Sequence, residues 1–174
     1  MQKKIIAFTG PKGVGKTSLA VLLKSFLDSC EIISFAKPIK DMIEAMGIDK
    51  DSIADPDKKD LKLDWLDCSP RKMMQTLGTD WGRNMIDQNI WIKLARKKIE
   101  DSKAEVVLID DCRFDNEAEM IESLGGYIIE LYRPNFDKYT NEHESEKGVR
   151  FVTDHMNVDV LEFAAEDLIA QFNL

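Results

Sequence analysis

At 174 residues, 44% hydrophobic and 32% charged, the chain has the size and composition of one globular domain with a continuous core. Its 24 Lys and Arg face 32 Asp and Glu, a net charge of −8, which argues against a partner of polymeric nucleic acid, because phosphate neutralisation needs a basic face. Three scattered cysteines outside any paired spacing argue against a disulfide framework, and no apolar run approaches the ~18 residues of a membrane span, so a cytoplasmic protein with no membrane partner is expected.

Residues 3–9 read as a short buried strand. GPKGVGKT, residues 10–17, follows it and fills every fixed position of Gly-x-x-x-x-Gly-Lys-Thr. From Lys16 the spacing turns helical, with Leu19, Leu22, Leu23, Phe26 and Leu27 on one face. Residues 31–35 read as a second strand. Pro38 suits the first turn of a helix striped by Ile39, Met42, Ile43 and Met46, with Gly47 closing it.

The charged, weakly periodic stretch 48–68 reads as an irregular insertion within a single domain, 1–174. Ser69 and Pro70 fit a helix cap and first residue, Met73, Met74 and Leu77 its apolar face, and Gly78 its end. A longer helix follows, with Trp91, Leu94, Ala95 and Ile99 in phase. VVLID, residues 106–110, is a continuous apolar run of parallel-strand type. A helix over 115–124 ends at Gly125 and Gly126, and 127–132 is a fourth strand. Residues 134–150 are polar and aperiodic, a lid-like loop by their length. A short strand near 155–158 and a helix bearing Leu161, Ala164, Leu168 and Phe172 complete the chain. Alternating strands and helices predict an α/β domain, a mostly parallel five-stranded sheet between two helical layers, with ligands at the carboxyl ends of the strands.

The glycine-rich motif carries the first chemistry. Backbone N–H groups of residues Lys12, Gly13, Val14, Gly15, Lys16, Thr17 and Ser18 converge where a helix begins, and such a nest cradles phosphates. Lys16 is placed to neutralise the β- and γ-phosphates, and Thr17 offers a hydroxyl to Mg²⁺. Asp110 and Asp111, after the apolar third strand, supply the acidic partner for that ion, partly through water; the sequence leaves open which of the two faces the metal. Basic residues recur after strands and at helix starts: Lys12, Lys37, Lys40, Arg71, Arg83, Arg113 and Arg133. Phosphoryl transfer rests on positioning and charge stabilisation, so cations for two phosphorylated ligands are the expected equipment. Trp81 and Trp91 suit either a base-stacking wall or core packing.

The stretch PRKMMQTLGTDWGRNMIDQNIWIKLA, then LIDDCRFDNEAEMIESLGGYIIELYRP, then HESE, resembles the deoxynucleoside monophosphate kinases of bacteriophages and their bacterial relatives. FAKPIKD, residues 35–41, and the phosphate loop fit the same family, so the resemblance runs from residue 3 to about 165. It implies a P-loop kinase fold and ATP- and Mg²⁺-dependent phosphorylation of a deoxynucleoside 5′-monophosphate. Its partners would be small-molecule nucleotides, with a homodimer left open. It further implies an acceptor pocket bordered by Lys12, Ile39, Lys40, Arg71, Gln75, Asp80 and Trp91, to which Arg113, Glu117, His143 and Glu146 contribute. Arg133 is implied near the donor, and Lys16, Asp111 and Arg113 at the transferring group. Residues 47–69 are shorter than in the larger phage enzymes, so base preference does not carry over. A dephospho-coenzyme A kinase-like enzyme, a nucleoside kinase and a non-catalytic nucleotide-binding regulator are the alternatives. The Asn-Lys-x-Asp stretch of GTPases is absent from the sequence.

Overall fold

The structure is a computed structural model that describes residues 3–55, 57–134 and 148–174. Its chain forms two compact units, one of Met1–Ser34 with Ala95–Leu174 and one of Phe35–Leu94.

The first unit is built on five strands: β1 (Lys4–Thr9), β2 (Cys30–Ile33), β3 (Val106–Ile109), β4 (Tyr127–Tyr132) and β5 (Asp154–Asn157). Their order is β2-β3-β1-β4-β5, and every pairing is parallel. The expected mostly parallel α/β sheet is thus wholly parallel. β1 is central: Ile6 lies opposite Leu108 on one side and Tyr127 on the other. Its burial on both faces explains the unbroken apolar run, since a strand covered by helices on each side has no polar face to show.

Helices α1 (Lys16–Phe26) and α7 (Leu161–Phe172) pack together. Leu19, Ala20 and Leu23 of α1 and Ala164, Ala165 and Leu168 of α7 join Ile6, Phe8, Leu108 and Leu131 in one core. The helix α6 (Asp115–Ser123) packs against β1 and β4. The close approach there needs Gly126, where a Cβ would stand 2.7 Å from Ile121 Cγ2.

The second unit lies wholly within the connection from β2 to β3. It holds α2 (Lys37–Ala45), α3 (Lys50–Ala54), α4 (Pro70–Gln75), a π-helical segment Thr76–Ile86 and the start of α5 (Ile90–Asp101). Its own core gathers Ile39, Ile43, Ile48, Ile53, Met73 and Trp91. The cap at Ser69 is as expected, accepting from Lys72 N at 3.3 Å, with Pro70 as the first helical residue. The stretch 48–68 is less irregular than expected: Asp49 caps α3 by accepting from Ser52 N at 2.8 Å, and Leu63 bridges Leu66.

Three local expectations are corrected. Gly78 does not end its helix; the chain continues through it in wider π-type turns to Ile86. Gly78 is held there by tertiary packing: its carbonyl accepts the Trp91 indole N–H at 2.8 Å, and an added Cβ would meet Ile39 Cδ1 at 3.1 Å. The second strand stops at Ile33, not at 35. Leu94, in phase with Trp91 and Ile99, is exposed.

Candidate functional site

The phosphate loop leaves the centre of the sheet where β1 ends. Gly10, Gly13 and Gly15 take φ of 130°, 82° and 119°, values open to glycine and costly for other residues. At Gly10 the demand is also steric, since a Cβ would sit 2.5 Å from the Leu131 carbonyl oxygen. The Lys16 side chain curls over this loop, donating to the carbonyls of Gly10 at 2.6 Å and Pro11 at 2.8 Å. It is 8% exposed, so its charge is held at the loop and not spread into solvent. Lys12, Gly13, Thr17 and Ser18 are exposed, whereas Val14 is buried in the core.

Thr17 and Asp110 meet. The Thr17 hydroxyl donates to Asp110 Oδ2 at 2.8 Å, and the Ser34 hydroxyl donates to the other oxygen, Oδ1. Asp110 therefore stands at the loop, fixed by two hydroxyls, one from the first turn of α1 and one just past the end of β2. Ser34 escaped the sequence reading, which set it inside the strand expected at 31–35; β2 ends one residue before it, at Ile33. Among the described residues no cluster of three or more His, Cys, Asp and Glu could hold a metal by itself. A hydroxyl and a carboxylate are instead the oxygen donors that Mg²⁺ takes from a protein when phosphates and water fill its remaining positions.

Arg133, just past β4, also reaches the loop. A Cβ on Gly15 would lie 3.3 Å from its Nη2, and its buried Nε has no hydrogen-bond partner. An unpaired buried guanidinium nitrogen is costly, and beside a phosphate loop an anionic oxygen is the group that would satisfy it. A shallow groove of about 530 Å³ continues from Thr17 and Ser18 along Val21, Leu22, Ser25, Leu161 and Glu162.

The Asp-Asp-Cys-Arg turn after β3 leads into α6. Glu117 is 2% exposed, and its Oε2 accepts the main-chain N–H groups of Arg113 at 2.8 Å and Phe114 at 3.1 Å. Here its carboxylate caps a helix, satisfying amides that would otherwise be orphaned. The buried Cys112 thiol is pushed well up by burial and then by the carboxylates of Glu117, Asp111 and Asp115, which makes it a poor nucleophile. Asp115 is bound by Arg150, whose N–H donates to Oδ1 at 2.7 Å and whose Nε donates to Oδ2 at 2.5 Å.

The other candidates belong to the second unit. Lys40, Gln75 and Asp80 are exposed on α2, α4 and the π-helical segment, and Ile39 is a core residue. Arg71 is gripped by Asp60 through Nε and Nη2, the second bond at 3.2 Å, while its N–H donates to the Lys59 carbonyl at 2.8 Å. Asp60 was missed because it stands among many equivalent charges. The two sets are thus divided: Lys16, Thr17, Asp110 and Arg133 are gathered in the first unit, with Asp111, Arg113 and Glu117 on the same unit, and the remaining described acceptor candidates apart from Lys12 in the second. His143 and Glu146 lie outside the described residues.

Comparison with known proteins identifies a family for the chain. A family model described as deoxynucleotide monophosphate kinase matches residues 58–162. A protein of Acanthamoeba polyphaga mimivirus, provisionally named as a deoxynucleotide monophosphate kinase, is 33% identical over 96% of this chain and 93% of its own. The deoxynucleoside-5′-monophosphate kinase of Escherichia phage T5 is 30% identical over 74% of this chain but only 52% of its own length. Among solved structures, a tunicamycin resistance protein of Deinococcus radiodurans superposes with a TM-score of 0.54 over 99% of this chain and 96% of its own. At 14% identity that likeness speaks for the fold alone.

Proposed function

The chain belongs to the deoxynucleotide monophosphate kinase family, and from that premise we propose that it transfers the γ-phosphoryl group of ATP to a deoxynucleoside 5′-monophosphate. The observation that carries the reading is the meeting of Lys16, the Thr17–Asp110 pair and Arg133 around one glycine-rich loop. A nucleotide-binding module without transfer chemistry would not call for the cationic set of the second unit as well.

The loop amides and Lys16 bind and orient the donor triphosphate, and Arg133 directs its buried Nε to a phosphate oxygen. Thr17 and Asp110, with Asp111 beside them, would hold Mg²⁺. Bound there, the ion would neutralise charge on the donor phosphates. Lys40 and Arg71 of the second unit would supply cations for the acceptor phosphate, Arg71 prealigned by Asp60. Lys16 and Arg113 stabilise charge on the transferring group. No side chain need remove a proton, because the attacking phosphate is already largely ionised near neutral pH. Alignment of the two phosphates therefore supplies most of the rate.

The test is a coupled ADP-release assay with ATP, Mg²⁺ and each deoxynucleoside monophosphate in turn. Acceptor-dependent ADP release is expected. No turnover with any of them, or turnover with nucleosides or dephospho-coenzyme A instead, would sink the proposal. Lys16→Ala should lower kcat/KM by at least about 100-fold while the circular dichroism spectrum stays unchanged. Retained activity would mean that the loop is not the donor site.

A further inference from the structure

Ser34 stands in neither the glycine-rich motif nor the Asp-Asp turn, yet its hydroxyl donates to Asp110. β2 and β3 run parallel with Ile33 opposite Ile109, so Ser34 and Asp110 are each the next residue out on neighbouring strands. Both stand at the carboxyl edge of the sheet. β3 lies between β2 and β1 in the sheet order, and Thr17 comes from the helix start that follows β1. Ser34 and Thr17 therefore hold Asp110 from its two sides, one hydroxyl to each carboxylate oxygen. All three residues belong to the first unit, which Ser34 closes before the chain leaves for the second.

The two bonds differ in what they can do. The torsion that turns an aspartate carboxylate is broad and roughly two-fold, so its staggering does not fix the plane of the oxygens. Asp110 is 9% exposed, which leaves that task mainly to its protein partners. Thr17 is exposed at the phosphate loop, and its oxygen is the one placed to meet Mg²⁺. Ser34 reaches Asp110 from the β2 side, away from the loop, and holds the carboxylate plane when Thr17 turns to the ion. A carboxylate has about four lone-pair sites. With one hydroxyl on each oxygen, each keeps a site for water in the ion's shell.

We infer that Ser34 is a positioning residue of the metal site, its hydroxyl setting the plane of the Asp110 carboxylate so that the oxygen beside Thr17 faces a divalent cation. The inference rests on the kinase reading above and deepens it. Ser34 acts through Asp110 and is not itself a ligand.

The experiment compares Ser34→Ala and Ser34→Thr with the parent, the threonine keeping a hydroxyl. ATP binding is titrated calorimetrically without acceptor, once in EDTA and once in excess Mg²⁺. The parent should bind ATP more tightly with the ion. In Ser34→Ala the affinity in EDTA should stay within twofold of the parent, while most of the gain from Mg²⁺ is lost. In the coupled assay the free Mg²⁺ concentration at half-maximal rate should rise by roughly 10- to 100-fold, the usual effect of removing a group that orients a metal ligand. Ser34→Thr should recover most of both losses. An equal loss of ATP affinity in EDTA and in Mg²⁺ would show that Ser34 only holds the loop together, and it overturns the inference. So does a Mg²⁺ response within twofold of the parent, a threonine variant no better than alanine, or a parent whose ATP affinity Mg²⁺ leaves unchanged. A parent that gains ATP affinity from Mg²⁺ but transfers to no monophosphate overturns the kinase reading instead, and the binding titrations still decide the role of Ser34.

Discussion

Arg133 is the residue at which the structure adds most to the motif. Its Nε is buried without a partner, and its Nη2 borders Gly15. Charge-assisted hydrogen bonds contribute about 1.5–3 kcal/mol, so Arg133→Ala should raise KM for ATP by roughly 10- to 150-fold while KM for the monophosphate changes little. Arg133→Lys should recover only part, because an ammonium restores charge but not the planar fork. Initial rates at saturating acceptor decide it, and an ATP KM within twofold of the parent in the alanine variant would remove Arg133 from the donor site. The phosphate loop could be read directly because all its parts are contiguous and each fixed position has its own steric or electrostatic reason. The choice between Asp110 and Asp111 could not. β3 is buried at every position, so the strand has no polar alternation to fix which carboxylate points where. The Thr17 and Ser34 hydroxyls settle the partners of Asp110. The Asp60 grip on Arg71 was equally hidden, one carboxylate among many in a charged run.

Among the elements, the π-helical segment is the one that local propensity does not explain. Glycine after an apolar stripe normally ends a helix, and Gly78 reads that way. Here Gly78 faces Ile39, whose Cδ1 would lie 3.1 Å from an added Cβ, and Gly82 faces Trp91. Both glycines make room for side chains distant in sequence, which no local pattern announces. Gly82→Ala tests this directly. A methyl 2.4 Å from Trp91 Cζ2 forces a shift in a buried ring, an overpacking that costs about 1–3 kcal/mol. Hydrogen exchange should then quicken through α2, α4 and the π-helical segment, while amides of β1, β3 and β4 keep their protection. Uniform loss of protection across both units would show that the Trp91 core is not a separate cooperative cluster. The strands, by contrast, were legible nearly to the residue. β1 and β3 carry the unbroken apolar runs IIAF and VVLI, bounded by polar residues, the pattern of strands covered on both faces in a parallel sheet.

At the scale of the whole molecule, acid stability offers a check on how the end of the β4–β5 connection is tied down. The Arg150 amide and guanidinium hold the Asp115 carboxyl below the usual carboxylate range. Stability from a lowered carboxylate is complete above its unfolded pKa and is lost as pH falls through the folded value. Arg150 is 84% exposed in its side chain, so solvent screens the pair. At most about 1 kcal/mol is expected. Asp115→Asn should therefore melt about 2–4 °C lower than the parent near neutral pH. The gap should close as pH falls below about 4. An equal gap at pH 7 and pH 3 would mean that the bond to Arg150 contributes through geometry alone. The order of strands and helices was readable from periodicity, whereas the existence of a second core was not, because its residues look like one more stretch of amphipathic helix.

One consequence of that topology concerns descent. The whole of Phe35–Leu94 is strung between two neighbouring strands, β2 and β3, whose pairing it never enters. Such a stretch behaves as a cassette. Recombination can lengthen, shorten or replace it between two fixed splice points and leave the sheet and the phosphate loop untouched.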